Sequence, residues 1–137
     1  MTLPWFRMDT GFSSHDKILN LLDDRAPPAT RWRAAFSYVA AIDWSVAKGT
    51  DGRIPANALP LVHGTANTAR LLVKHGLWEE RLTGWKIHNY ERRQALSRDV
   101  AHDYELRREA GRRAACRRWH GDDCWVEGKG CSRTEGA

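Results

Sequence analysis

Residues 55–90 read PANALPLVHGTANTARLLVKHGLWEERLTGWKIHNY, and this stretch decides the predicted fold. Pro55 stands where a short helix can begin, because proline is well tolerated at the first helical position, and Gly64 ends that helix. Thr65 begins a second short helix, which Gly76 closes. Two short helices separated by a glycine turn are typical of a helix-turn-helix.

Strand-forming residues follow the second helix directly, on both sides of a turn at residues 82–84, Leu-Thr-Gly. They are Leu77, Trp78, Trp85, Ile87 and Tyr90. Residues of this type around a glycine-bearing turn predict a β-hairpin. A short extended piece at Arg53 and Ile54 precedes the helix pair.

Two more helices are predicted upstream. Ser14 can cap the first, and its apolar stripe consists of Ile18, Leu19 and Leu22. Thr30 can cap the second, which ends at Gly49. The apolar residues that recur at helical spacing in it are Trp32, Ala35, Phe36, Val39, Ala40 and Ile42. The order helix, helix, short strand, helix, helix, hairpin is that of a winged helix.

Seven tryptophans are a large number for a chain of 137 residues. Four lie in periodic apolar elements and are predicted to build the core, namely Trp32, Trp44, Trp78 and Trp85. The other three are Trp5, Trp119 and Trp125. They could stack on bases or on a protein partner, or pack as ordinary core or surface residues.

The helix that follows Thr65 is the candidate recognition helix. Its residues Ala69, Leu72 and Val73 are predicted to pack inward. The residues predicted to face outward are Asn67, Thr68, Arg70, Leu71 and Lys74. Asn, Thr, Arg and Lys side chains suit base edges and phosphates. Lys86, predicted at the tip of the hairpin, could approach the DNA backbone or a minor groove. Alternatively, the outward residues of the helix after Thr65 form only the polar face that any solvent-exposed helix has.

Positive charge is concentrated in one segment. The whole chain has a formal net charge of +5, and residues 107–118 alone account for that value. The six arginines of this segment are Arg107, Arg108, Arg112, Arg113, Arg117 and Arg118. Clustered arginine indicates a phosphate-rich partner, either DNA or RNA, although a solubilising helix face has the same composition.

The four residues Cys116, His120, Cys124 and Cys131 have the spacing C-x3-H-x3-C-x6-C. A helix would place Cys116 and His120 on one face, and the two later cysteines could fold back to complete a tetrahedral zinc site. No C-x2-C pair is present. The alternative is therefore three reduced thiols in a loose tail, with a histidine at the surface.

The predicted fold class is α+β and mostly α. We expect a winged helix-turn-helix domain at residues 1–90, a basic C-terminal helix at 91–119 and a cysteine-containing tail at 120–137. The helix at 91–119 is predicted to continue without a break from Tyr90, because the segment lacks proline and is rich in Arg, Ala, Glu and Leu. The tail is expected to be flexible or stabilised by zinc.

Three stretches of the sequence resemble the N-terminal winged-helix domain of replication-initiator or replisome-organiser proteins from phages and integrated elements of high-GC Gram-positive bacteria. They are PWFRMDTGFSSHDKILNLL (4–22), GTDGRIPANALPLVHG (49–64) and LLVKHGLWEERLTGWKIHNYERRQ (71–94). The resemblance covers about two-thirds of the chain, from Pro4 to Tyr90. It implies DNA binding at an origin or operator, through the residues of the matching helix, Asn67, Thr68, Arg70 and Lys74.

An enzymatic function is not expected, because no G-x-S-x-G, phosphate-binding glycine loop or H-E-x-x-H occurs. The N-terminus lacks the apolar run of a signal peptide, and residues 34–47 are too polar to span a bilayer. The three cysteines suit a reducing compartment, so we expect a cytoplasmic protein.

The predicted function is that of a small DNA-binding protein, encoded by a phage or prophage and linked to replication or transcription control. The alternative is a winged-helix interaction module that binds a host or phage protein. RNA binding through the arginine-rich segment is a third possibility.

Overall fold

The computed structural model describes residues 3–127 and 129–132, and it has a mostly helical α+β fold. The chain divides into two compact units, Met1–Ser97 and Arg98–Ala137. The α-helices are α1 (Asp16–Leu22), α2 (Pro28–Lys48), α3 (Ala66–Lys74), α4 (Tyr90–Arg93) and α5 (Ser97–His120). The strands are β1 (Arg53–Pro55), β2 (Trp78–Arg81), β3 (Gly84–Ile87), β4 (Trp125–Val126) and β5 (Gly130–Cys131). Short 3-10 helices occupy Phe12–Ser14 and Ala56–Val62.

Helix α1 begins later than its predicted cap. His15, not Ser14, occupies the N-cap position, and its ring accepts the Lys17 N–H. Ile18 is buried as predicted, but the prediction that Leu19 belongs to the apolar stripe is wrong, because its side chain is 49% exposed. The core contact is made by Leu21, one helical turn after Ile18.

Helix α2 begins at Pro28, two residues before the predicted cap Thr30, because a proline at the first helical position lacks only an N–H that would have no partner there. It ends at Gly49 as predicted, with the left-handed backbone conformation that glycine adopts easily. Its buried residues are Ala34, Ser37, Tyr38, Ala41, Ile42 and Ser45, and all but Tyr38 and Ile42 are small. The predicted core position of Trp32 is therefore wrong: Trp32 is 63% exposed and Phe36 58% exposed.

The predicted limits of α3 are confirmed. Thr65 caps the helix, and a reciprocal pair of bonds joins it to Thr68: the Thr68 N–H donates to Thr65 Oγ1 (3.2 Å) and the Thr65 N–H to Thr68 Oγ1 (2.7 Å). This capping box satisfies two N–H groups that a helix start otherwise leaves without partners. The helix before it, predicted from Pro55, is a 3-10 helix at Ala56–Val62.

The predicted hairpin is confirmed, with Arg81 opposite Gly84 at its turn. In addition β1 pairs with β3, so the sheet is antiparallel with the order β1-β3-β2. Gly84 is required where β3 meets β1, because a side chain there would overlap the Ile54 carbonyl oxygen. Sheet pairing thus anchors the hairpin to the segment that precedes the helix pair.

The core of the first unit lies between α1, α2, α3 and the sheet. Its largest fully buried side chains include Trp78, Leu21, Ile54 and Leu72. Trp78 is thus a core residue as predicted, and Trp85 is half-buried with its ring 5.8 Å from that of Trp78. Burying such side chains is the main stabilising contribution in a unit of this size.

The prediction of one continuous helix from Tyr90 to residue 119 is wrong. α4 ends at Arg93, and Gln94 turns inward, where its side-chain amide accepts the Arg7 N–H (2.9 Å) and donates to the Arg7 carbonyl (2.7 Å). α5 then begins at Ser97, whose N–H and hydroxyl both donate to the Asp51 carboxylate (2.7 and 2.9 Å). These tertiary hydrogen bonds outweigh the helical preference of the segment.

The second unit consists of α5 and the small hairpin β4–β5, in which Trp125 lies opposite Cys131. Among its described residues, only Cys116 and Cys124 are buried. Among the residues that the structure describes, no helix combines the length and apolar character needed to cross a membrane.

Candidate metal centre and nucleic-acid interface

Four potential metal ligands meet in the second unit. Cys116, His120, Cys124 and Cys131 each point one ligand atom into a common space, and these four atoms all lie within 4.8 Å of one another. The predicted convergence of the four side chains is therefore confirmed. The cluster could bind a metal ion such as zinc.

The distances fit a tetrahedral ion. Zn–S bonds of about 2.3 Å and Zn–N bonds of about 2.0 Å place tetrahedral ligands roughly 3.7 Å apart for two sulfurs and roughly 3.5 Å apart for a sulfur and a nitrogen. Cys124 Sγ lies 3.7 Å from Cys131 Sγ. His120 Nδ1 lies 3.7 Å from the sulfurs of Cys116 and Cys124 and 3.3 Å from that of Cys131.

Local structure explains how the ligands meet. Cys116 and His120 are one turn apart on α5, so they share a face. Gly121 leaves the helix with a φ of +83°, which a residue with a side chain rarely adopts, and turns the chain back. The β4–β5 pairing then brings Cys131 beside Cys124, and Ser132 N–H donates to the Cys124 carbonyl (3.2 Å).

The cysteine sulfurs lie so close together that negative charge on the thiolates has to be neutralised, either by protons or by a bound cation. Burial and the adjacent Cys131 and Cys124 sulfurs raise the pKa of Cys116 to about 12. A divalent ion has the opposite influence, because it stabilises the thiolate form of its ligands. Cysteine sulfur and a neutral imidazole are ligands that zinc prefers.

On α3, part of the predicted outward face is open to solvent. Asn67 and Arg70 are exposed, and Arg70 Nη2 donates to Asn67 Oδ1 (2.8 Å), so the two polar groups stand together at the surface. The predicted outward orientation of Thr68 is wrong: its side chain is 1% exposed, and its hydroxyl serves the capping box. Leu71, also predicted outward, is buried, because the core-facing stripe is wider than the periodicity indicated.

Lys74 is exposed but already paired. Its ammonium lies 2.8 Å from Asp24 Oδ2, and His75 Nε2 lies 2.7 Å from the same oxygen. Asp24 also accepts the Ala26 N–H (2.9 Å). This arrangement ties the loop after α1 to the end of α3, so Lys74 has a structural role that the sequence did not indicate.

The bonds to Asp24 predict an acid-sensitive contribution to stability. Hydrogen bonds from Lys74, from the Ala26 N–H and from His75 hold the pKa of Asp24 well below its ordinary value. A carboxylate whose folded-state pKa is depressed stabilises the fold above its unfolded pKa of about 3.9 and loses that contribution as the pH falls further. We expect Asp24→Asn to lower the thermal midpoint at pH 7, with a difference that shrinks towards pH 3.

Thermal unfolding followed by circular dichroism from pH 3 to pH 7 checks this expectation. Asp23→Asn, which changes an exposed neighbouring carboxylate, is the matched control and should have a smaller effect. A difference between wild type and Asp24→Asn that is equally large at pH 3 and pH 7 would contradict the role of the carboxylate charge.

Lys86 does not lie at the tip of the hairpin as predicted. It sits within β3 opposite Glu79, and its ammonium lies 3.2 Å from the Glu91 carboxylate. The tip is formed by Leu82 and Thr83, with Arg81 exposed beside them. Arg81 is thus a cation near the tip that was not predicted, although its place directly before the predicted turn at residues 82–84 could have indicated it.

The six predicted arginines of residues 107–118 all lie on α5 and are exposed. Two of them have acidic partners: Arg117 contacts Asp122 (2.8 Å) and Arg108 lies 4.0 Å from Glu105. Because helical residues advance by about 100° each, these arginines are distributed over several faces of the helix and not along one stripe.

Comparisons with models of known protein families, with curated proteins and with solved structures found no match to this chain. Its function must therefore be inferred from its own residues. The four-ligand cluster is the strongest chemical signal among them, and the exposed polar face of α3 next to the hairpin is the strongest architectural one.

Proposed function

We propose that this chain is a DNA-binding protein with a winged helix-turn-helix unit and a zinc-binding C-terminal unit. The order of elements in the first unit supports the first part. α1 and α2 are followed by β1, a short 3-10 helix, α3 and the β2–β3 hairpin. In a winged helix the last helix before the hairpin enters the major groove and the hairpin is the wing.

One observation carries the proposal: α3 buries one face and leaves Asn67 and Arg70 exposed on the other. An α-helix with its side chains is about 10–12 Å in diameter, so the nine-residue α3 can lie in a major groove about 12 Å wide. Asn pairs well with the adenine edge and Arg with guanine or phosphate. The hairpin begins four residues after α3, so Arg81 near its tip can reach the DNA backbone alongside.

The arginines of α5 supply sequence-independent phosphate contacts in this proposal. They are Arg107, Arg108, Arg112, Arg113, Arg117 and Arg118. Exposed guanidinium groups on several faces of a helix suit a backbone whose charge is distributed along its length. Base contacts by α3 would choose the site, whereas α5 would strengthen binding to any duplex.

Zinc is the ion that we propose for the cluster. Three thiolates and an imidazole form a soft, tetrahedral ligand set, which selects zinc over magnesium or calcium. Because the protein supplies all four ligands, no position is left for a substrate or a reacting water. The ion would therefore stabilise the second unit and not catalyse a reaction.

Duplex binding at different salt concentrations tests the proposal. The full chain, loaded with zinc, is titrated into labelled duplexes of random sequence and then of selected sequence. Between 50 and 200 mM salt we expect the affinity to fall by about a thousandfold, if roughly six phosphates are neutralised. No complex with any duplex at low salt would overturn the proposal.

The resemblance of residues 4–90 to phage initiator domains favours an origin or an operator as the natural site. Selection from the DNA of a phage or prophage, followed by sequencing, would identify such a site. Enrichment of a single short motif is the expected result, and recovery of unrelated fragments at equal frequency would contradict it.

A protein-interaction module is the second candidate, and one observation favours it. Large apolar side chains are exposed on the first unit: Trp32 and Phe36 lie one turn apart on α2, and Leu61 is 64% exposed. Exposed apolar side chains of this size are typical of binding surfaces for proteins. Capture of a partner from a host lysate that persists after nuclease treatment, together with no duplex binding, would favour this function.

A further inference from the structure

The second unit contains a groove that shares three residues with the metal cluster and also has aromatic and cationic side chains in its lining. The groove lies between the last turns of α5 and the β4–β5 hairpin and has a volume of about 670 Å³. Trp119 lines it from α5, and Trp125 lines it from β4. Its size is within the range of about 300–1,000 Å³ that is usual for ligand sites.

The two tryptophans are available to a ligand. Trp119 is 77% exposed, and Trp125 is half-buried. Leaving a tryptophan ring in water forgoes the stabilisation that burial would provide, so such a ring is commonly part of a binding surface. Flat aromatic rings bind other flat rings by stacking, and every nucleobase has such a face.

Cations accompany the aromatic rings. Arg112 and Lys129 both line the groove, and Glu109 is the acidic residue among its lining. Arg108 lies one turn before Arg112 on the same face of α5. Aromatic rings for bases, with cations beside them for phosphates, are the combination that single-stranded nucleic acids require.

A DNA duplex does not expose the base faces that the tryptophans of this groove could stack on. In double-stranded DNA each base face is covered by its neighbours, and a base reaches an aromatic ring only after it has left the stack. We propose that the groove between α5 and the β4–β5 hairpin binds single-stranded DNA, with bases stacked on Trp119 and Trp125 and phosphates on Arg112 and Lys129. The choice of DNA over RNA rests on the proposed function, which places the chain on DNA.

The metal cluster explains how the groove keeps its shape. Cys116 and His120 from α5 and Cys131 from β5 form part of its lining, so the ligands join its two walls. With zinc bound, Trp119 and Trp125 are held on elements that the ion connects. The groove is therefore expected to exist only in the metal-loaded protein.

Fluorescence anisotropy with a labelled oligo(dT) of about twelve nucleotides tests the proposal on the full, zinc-loaded chain. Trp119→Ala is expected to weaken binding by about tenfold or more, because base stacking on one aromatic ring has an effect of that size. Trp119→Tyr, which retains a flat ring, should recover most of the affinity. Trp5→Ala changes another exposed tryptophan, in the first unit, and should leave binding unchanged.

The zinc content of each variant shows whether the second unit has remained folded. Equal oligo(dT) affinity for wild type and a zinc-loaded Trp119→Ala variant would overturn the proposal. Tighter binding of oligo(U) than of oligo(dT) would also overturn it, in favour of RNA. An Asn67→Ala/Arg70→Ala variant separates the two activities, because it should lose the preference for a duplex site and keep oligo(dT) binding. If the wild type binds oligo(dT) through Trp119 but binds no duplex, only the proposed duplex recognition fails; if it binds duplex but Trp119→Ala leaves oligo(dT) binding unchanged, only the groove proposal fails.

Discussion

His120→Ala should leave the purified protein without bound metal, whereas the wild type should hold one zinc ion per chain. The reason is that His120 Nδ1 lies within 3.7 Å of all three cysteine sulfurs, so its removal opens one corner of the tetrahedron. Loss of a residue that only orients a ligand costs about 10- to 100-fold in metal affinity, and loss of a ligand itself should cost more.

Unfolding of the second unit should accompany the loss of metal. Its described residues include only two buried side chains, Cys116 and Cys124, and both are ligands of the cluster. Without the ion, almost no apolar burial would hold the β4–β5 hairpin against α5, because small metal-binding modules commonly fold only with their metal. Hydrogen exchange in residues 121–132 should therefore become fast in His120→Ala and in wild type treated with a chelator.

The measurements are zinc content and the absorption spectrum after cobalt substitution, which reports tetrahedral thiolate ligands. His102→Ala removes an exposed histidine of the same helix and is the matched control, with unchanged metal binding expected. Cys116→Ser should behave like His120→Ala. A wild-type protein that takes up no zinc or cobalt under reducing conditions would show that the four side chains meet for another reason.

The proposed function predicts that Asn67→Ala/Arg70→Ala abolishes site preference in duplex binding. Each well-placed contact between a side chain and a base edge contributes about 1–3 kcal/mol of discrimination, so the loss of both should reduce specific affinity by at least about 30-fold. Binding to unrelated duplexes should change much less, because the arginines of α5 remain. Since both replaced side chains are exposed, the thermal midpoint should stay close to that of wild type.

Lys48→Ala is the matched control, because Lys48 is an exposed cation at the end of α2 and is not predicted to contact DNA. Lys74→Ala is a poorer probe of recognition, since it also removes the ion pair with Asp24. Competition between the specific duplex and random DNA gives the specificity ratio directly. Retention of full site preference by the double variant would exclude α3 as the recognition helix.

Elements bounded by local interactions were predictable. Thr65 and Gly76 delimit α3, and the hairpin turn follows from Leu82, Thr83 and Gly84, because capping and turn formation involve residues close in sequence. The i, i+4 placement of Cys116 and His120 follows from helical geometry alone. The sequence thus placed Cys116 and His120 on one helix face, whereas the return of Cys124 and Cys131 to that face was only a possibility.

Features that depend on distant partners were not predictable. Periodicity predicted that α2 has an apolar face but assigned the wrong residues to it. Trp32 faces solvent, whereas small residues such as Ala34 and Ser37 are buried and allow close packing. Nothing local indicated that Gln94 would break a helix by bonding to Arg7. Thr68 is a different case, because its capping box with Thr65 joins residues only three apart and could have been inferred from the sequence.

By itself the sequence determined where α3 and the hairpin begin and end, that positive charge is concentrated in residues 107–118, and which four side chains could ligate a metal. Only the tertiary structure decided that Asn67 and Arg70 are open while Thr68 is not, and that Cys124 and Cys131 return to α5. The physical reason is range: caps, turns and helical spacing act over a few residues, whereas burial and ligand closure depend on which distant segments come into contact.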